Sequence, residues 1–470
     1  MLKQFILFSY GNLVSAAVSF FTTPIITLLI IPAEFGKSSM FTLALSFMCQ
    51  IGLLGMDQSF MRMYFEKEEK DRNGLAWLCI VFSIGITILM LGCLFPFWPR
   101  ISLILFEGQN FSAVILLGSC LFLSIIDRFT TSVVRMKKKG NVYSVTRIVN
   151  SVINAVVVIC YAKFIAPTFH AIVWGTVFSS FSSIIISVTS EKQFWKCRIE
   201  TALFNRQEVK QIFSYGFPLV PVFIITVLFQ GMDKLALRTY STFNEIGLYV
   251  AANKIIFPLT VIQSGFSLYW YPLALETYEA NHMNYSFFET MFKYMSVMVL
   301  ISASAILVLK DIIVLILAPA YRNAVRIMPF LILVPLMYIL TEVTGLGVGF
   351  KKRTNISIVN IAAAALANFT GNYFLVPIYG AQGAAFSTGI AYIVYFSFRT
   401  YVSYRLFPVH YPIYQYLPSF CILLAFLFIN TFYIVPWFVN FLLFFIIIVI
   451  HRKTMLDLLQ KGIKELGINT

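Results

Sequence analysis

Apolar runs of about 18 residues or more recur from one end of the chain to the other, and each is long enough to cross a hydrocarbon core as a helix. The first six are Leu7–Ile31, Ser38–Tyr64, Leu75–Phe97, Phe111–Val134, Val142–Ile165 and Phe169–Thr189. Six more follow at Ile212–Met232, Ile246–Leu273, Phe287–Leu309, Val325–Phe350, Ile356–Val376 and Gln382–Tyr404. Two shorter runs close the series, Tyr414–Tyr433 and Val435–Ile450, parted at Pro436. The runs are continuous rather than alternating, which argues against a membrane β-barrel. Only 12% of residues are charged, about half the fraction usual in a soluble protein. The expectation is an all-α polytopic membrane protein of about 14 transmembrane helices.

Lysine and arginine are unevenly spread over the connections. Arg62–Arg72, Arg135–Lys139, Lys192–Lys210, Lys351-Lys352-Arg353 and Arg452–Lys464 are rich in them. Ile31–Lys37, Trp98–Asn110, Pro377–Gln382 and Ile434–Pro436 are nearly free of them. Cation-rich connections stay on the cytoplasmic side, so both termini are expected there. Much of the net charge of +15 follows from this bias, and nucleic acid is not an expected partner. The seven cysteines form no C-x-x-C pair, and the four histidines are far apart, so no metal site or disulfide framework is expected.

The halves look alike. Ser9-Tyr10-Gly11 opens the first helix and Ser214-Tyr215-Gly216 the seventh. Ala33-Glu34-Phe35-Gly36 corresponds to Asn244-Glu245-Ile246-Gly247, and Asn154 before Pro167 to Asn368 before Pro377. Their shared order predicts a duplicated six-helix unit, a parallel repeat of the kind that places substrate between halves. The expected division is an N-terminal lobe over 1–190, a cytoplasmic linker over 191–211 and a C-terminal lobe over 212–405. An extra helix pair over 406–451 and a cytoplasmic tail over 452–470 complete it.

Charges inside the runs are the candidate functional residues, because each costs several kcal/mol unless it meets a partner or a polar cavity. Lys254 lies about ten residues into its run, near mid-membrane. The other candidate cavity cations are Arg147, Arg128, Arg62 and Lys234. Asp57, Asp127, Asp233 and Glu342 are candidates for charge balance or for coupling to protons or sodium. Asp57 and Arg62 are too far apart around a helix to pair. Each of these charges has a structural alternative as an ion pair or as a side chain reaching to the interface. No phosphate-binding loop, G-x-S-x-G or H-E-x-x-H occurs, so neither ATP hydrolysis nor a resident cofactor is expected.

One long segment, Gly55-Met56-Asp57-Gln58-Ser59-Phe60-Met61-Arg62-Met63-Tyr64-Phe65-Glu66, resembles a family pattern. So do Tyr215-Gly216-Phe217-Pro218-Leu219-Val220-Pro221 with Asp233-Lys234, and Gly247-Leu248-Tyr249 with Lys254. Asn368 and Val376-Pro377-Ile378-Tyr379-Gly380-Ala381-Gln382-Gly383-Ala384-Ala385 continue it. In order and spacing these resemble the polysaccharide-transport branch of the MATE-like (MOP) flippase superfamily, which includes the Wzx-type O-antigen flippases. The resemblance implies a V-shaped bundle with a central cavity. It also implies transport of a polyprenyl-pyrophosphate-linked oligosaccharide to the outer leaflet of a bacterial plasma membrane, without an enzymatic step. Membrane lipid and other polysaccharide-assembly proteins are the implied partners. The two extra C-terminal helices are similar to those of fourteen-helix lipid II flippases. Two other readings stay open: a cation-coupled exporter of small molecules, and a membrane polymerase or glycosyltransferase. Deep cations argue against the first, and short outer connections against the second.

Overall fold

A computed structural model describes residues 2–196, 206–351, 353 and 355–465. Most of the expected linker, 197–205, and the last residues of the tail lie outside the described residues. The chain forms two compact units, Met1–Lys234 and Leu235–Thr470.

In the first unit α1 (Leu2–Leu29), α2 (Pro32–Leu53), α3 (Met56–Met63), α4 (Arg72–Leu94) and α5 (Trp98–Phe106) precede α6 (Phe111–Met136). Then come α7 (Gly140–Phe164), α8 (His170–Ser190), the short α9 (Lys192–Lys196) and α10 (Arg206–Gly216). The unit boundary falls within α11 (Val220–Tyr240). Small residues set the packing. A side chain at Gly11 would place its Cβ 2.4 Å from Ser144 Cα, so α1 and α7 touch backbone to backbone. The Ser144 hydroxyl accepts from the Gly11 N–H at 3.1 Å and donates to the Leu7 carbonyl at 2.6 Å. Close approach at small residues, tied by a hydroxyl, is how helices associate where lipid offers no hydrophobic drive.

The run expected over Ser38–Tyr64 is a bent pair: α2 and α3 meet at 54°. Leu54 and Gly55 both have positive φ there, 45° and 74°. Gly55 is required twice over. Its backbone is left-handed, and a Cβ would lie 2.2 Å from the Gly216 carbonyl oxygen. The Ser59 hydroxyl then donates to the Ile212 carbonyl at 2.7 Å, fastening α3 to α10.

The second unit contains α12 (Phe243–Ala280), α13 (Tyr285–Val314), α14 (Ala324–Leu331), α15 (Leu333–Thr344) and α16 (Leu346–Phe350). It ends with α17 (Asn355–Leu406), α18 (Ile413–Phe432) and α19 (Trp437–Glu465). Inside α17, Gly380 is non-helical at φ 54° and ψ −130°, so two helices meet at a kink. At one end Tyr278, Phe288, Phe350 and Phe407 form an aromatic cluster, with Tyr278 and Phe350 stacked at 4.1 Å. The closing pair is tied by a reciprocal amide contact between Asn430 and Asn440 at 2.8 and 2.9 Å. Asn440 also donates to the Leu307 carbonyl of α13 at 3.3 Å.

Among the described residues twelve helices are long and apolar enough to span a membrane, and counting the bent α2–α3 pair adds a thirteenth. One of the twelve, Ile356–Leu406, has 51 residues, about 77 Å of helix, more than twice a hydrocarbon core. Division at the Gly380 kink makes it two spans and gives the fourteen expected from the sequence.

The two stretches matched in the sequence make the same kind of contact. Glu34 accepts from the Phe169 N–H at 2.9 Å, 135 residues away. Glu245 accepts from the Ala381 N–H at 3.0 Å, 136 residues away. Each carboxylate leaves the start of a spanning segment, α2 or α12, and holds the backbone at the start of a later one, α8 or the second part of α17. Such N–H groups have no partner within their own helix, and an anion suits that end.

Candidate functional site

Four charges of the first unit gather on three helices, α3, α6 and α7. The bend at Gly55 places Asp57 in the first turn of α3, 2% exposed. Arg128 of α6 donates from Nε to Asp57 Oδ2 at 3.0 Å, and the Gln58 amide donates to the same oxygen at 2.9 Å. Asp127, beside Arg128, accepts from Thr131 at 3.2 Å and from Ser183 of α8. It also interacts with Arg147 of α7. Arg147 lies over the Tyr143 ring at 5.2 Å, and its Nε is buried with no hydrogen-bond partner among the described residues. The result is an alternating series, Asp57, Arg128, Asp127 and Arg147, with no net formal charge. Arg62 stands apart from it. At the end of α3 it pairs with Glu66 at 2.6 Å, and both side chains are more than half exposed.

Asp233 is buried and Lys234 half-buried near the end of α11. In the second unit Lys254 is half-buried in α12, eleven residues beyond Phe243, about 17 Å along the axis. No ion pair or hydrogen bond to its ammonium is found among the described residues. Glu342 of α15 is half-buried and interacts with Arg399 of α17 and the Tyr338 hydroxyl. Arg399 Nε is buried and without a hydrogen-bond partner among the described residues. Sequence reasoning passed over Arg399. The signal was present, since it is the one cation inside the run Gln382–Tyr404.

The second unit also holds open cavities. One of about 850 Å³ is lined by Glu289, Lys293, Thr400, Tyr401, Tyr404 and His410 among others. Among the described residues no group of histidine, cysteine and carboxylate side chains suits a metal ion.

The profile of the family described as polysaccharide biosynthesis protein matches residues 1–277, more than half of the sequence and with it the whole charged series and Lys254. The chain belongs to the polysaccharide biosynthesis protein family. No curated protein matches it by sequence. Solved structures extend the likeness past the profile. The lipid II flippase MurJ in an inward closed conformation superposes with TM-score 0.69 at 16% identity, over 98% of this chain and 99% of that one. An inward-facing multidrug resistance MATE family transporter of the MOP superfamily gives TM-score 0.59 at 13% identity, over 84% and 94%. An outward-facing one gives 0.55 at 13%, over 87% and 96%. This member of the family therefore has a MurJ/MATE-like fold, and it is a multi-pass membrane protein.

Proposed function

We propose that the chain is a flippase that carries a polyprenyl-pyrophosphate-linked oligosaccharide from the cytoplasmic to the outer leaflet of a bacterial plasma membrane by alternating access. A pyrophosphate loses its water on entering hydrocarbon, and only charged donors at depth replace it cheaply. Lys254 carries this reading: it is a half-buried cation in a long apolar helix with no counter-charge among the described residues. An unpaired ammonium in such a place is costly, and a transported anion relieves the cost. The sugar needs polar surroundings, while the polyprenyl tail stays in lipid, so no covalent step is required.

The test is surface glycan in cells whose only copy of the chain is variant. Lys254→Ala should lose most of it at wild-type membrane abundance, and Lys254→Arg should keep a part, since lysine meets phosphate as a point charge. One charge-assisted contact is worth about 1.5–3 kcal/mol, tenfold or more in head-group occupancy. Full glycan in the alanine variant would make Lys254 a structural residue. Transport of organic cations instead of lipid-linked sugar by reconstituted protein would overturn the substrate class.

A further inference from the structure

At the end of the second unit where α11 meets α12, α13 meets α14 and α18 meets α19, two cavities adjoin. The first has a volume of about 870 Å³, the second about 470 Å³, and Asn323 and Arg326 line both. The two linings differ in chemistry. The first includes an apolar set, Leu309, Ile312, Ile434 and Trp437, between 46% and 82% exposed. It also holds three cations, Lys310, Arg322 and Arg326, and one carboxylate, Asp311. Lys310 is almost fully buried and pairs with Asp311 at 2.9 Å. Arg322, in the turn before α14, and Arg326, in its first turn, both line the first cavity and make no ion pair among the described residues. Beyond Arg326 the second cavity offers Glu245, Asn323, Gln382, Tyr240 and Tyr379.

Apolar, cationic and polar linings side by side match the three parts of a lipid-linked oligosaccharide: hydrocarbon, phosphate and sugar. Two guanidinium forks suit a phosphate or pyrophosphate. A pocket of amide, carboxylate and phenol groups suits sugar hydroxyls. Two unpaired arginines are also out of place by charge bias, because this connection alternates with the cation-rich ones and falls on the side expected to be outside. We propose that the paired cavities form a receiving site on the outer face. The translocated lipid's pyrophosphate docks at Arg322 and Arg326, its first sugars enter the smaller cavity, and its tail lies along Ile312 and Ile434. This rests on the flippase reading and adds a second station to it, separate from Lys254.

The experiment uses full-length protein in discs of neutral lipid, with a benzophenone-bearing farnesyl pyrophosphate as probe and cross-linked peptides mapped by mass spectrometry. Cross-links to residues 309–326 and 430–437 are expected in the wild type. They should fall at least tenfold in the Arg322→Ala/Arg326→Ala double variant and persist when phosphatidylglycerol is added in equal amount. Equal cross-linking in both proteins would overturn the site. Displacement by phosphatidylglycerol would also overturn it, in favour of a resident anionic lipid. In cells the double variant should lower surface glycan several-fold at unchanged membrane abundance. Normal glycan with the double variant, where deletion of the whole chain abolishes glycan, overturns the receiving site and leaves the flippase reading standing. Normal glycan after deletion overturns the flippase reading, and cross-linking alone then decides the site.

Discussion

Asp57 and Arg128 form an unequal pair, and the inequality is testable. The Asp57 side chain is 3% exposed and that of Arg128 is 47%. Arg128→Ala therefore strands a carboxylate that protein surrounds on nearly every side, with only the Gln58 amide left on that oxygen. Removing one partner of a buried pair costs about 3–5 kcal/mol when the other stays charged. Asp57→Asn strands only a guanidinium that can turn toward water, so its cost should be nearer 1 kcal/mol. Thermal unfolding in detergent should place Arg128→Ala clearly below Asp57→Asn. Equal shifts would mean that the burial of Asp57 does not govern the pair. Nothing in the order of residues matches these two, because their partnership depends on the bend at Leu54-Gly55, and a leucine gives no warning of a left-handed backbone. Depth in an apolar run, by contrast, is countable, and it singled out Lys254, Asp127 and Glu342 without knowledge of their neighbours.

At the scale of elements, Glu34 and Glu245 do the same work in the two units, each holding the backbone N–H where a later helical segment begins. Glu245 has the more constrained setting. Gly380 stands beside it at positive φ, and a Cβ there would come within 2.9 Å of Glu245 Oε2. Glu34 also pairs with Lys37 at 2.7 Å. Glu→Gln at either position keeps an acceptor oxygen and loses only the charge, so the expected loss is about 1 kcal/mol. Glu→Ala leaves the N–H without its acceptor and should cost about 1–3 kcal/mol. Gly380→Ala should lower stability further than Gly→Ala at an ordinary helical site, because the backbone there is closed to L residues. If either glutamate tolerates alanine without a shift in unfolding temperature, the shared contact is incidental to the fold. The likeness of the two glutamates was legible, since Ala33-Glu34-Phe35-Gly36 and Asn244-Glu245-Ile246-Gly247 stand in matching order. What their glutamates hold was not, because each N–H lies more than a hundred residues on and belongs to the backbone, which carries no sequence signal.

For the whole molecule, the number of crossings turns on α17. As one rod its 52 residues would reach about 78 Å, and no bilayer core of about 30 Å accommodates that as a single pass. The kink at Gly380 follows Pro377 and adjoins the carboxylate of Glu245, which starts the chain's eighth expected span. Residues from the connection at 240–245 and from 376–382 line the same 470 Å³ cavity, so both connections emerge at one end of the second unit. The adjoining cavity adds residues from 322–326 and 433–437, placing four alternate connections together. The 850 Å³ cavity is lined instead by 289–293 and 396–415, which belong to the other set. This sorting within the unit agrees with the alternation read from lysine and arginine, and the charge bias assigns the Lys351–Arg353 connection to the cytoplasm. A reporter fused after Pro377 should accordingly register outside, and one fused after Phe350 inside. A cytoplasmic signal after Pro377, with the Phe350 fusion unchanged, would mean that the first part of α17 does not cross. The chain would then make one pass where two are expected, and the C-terminal tail would have to lie outside.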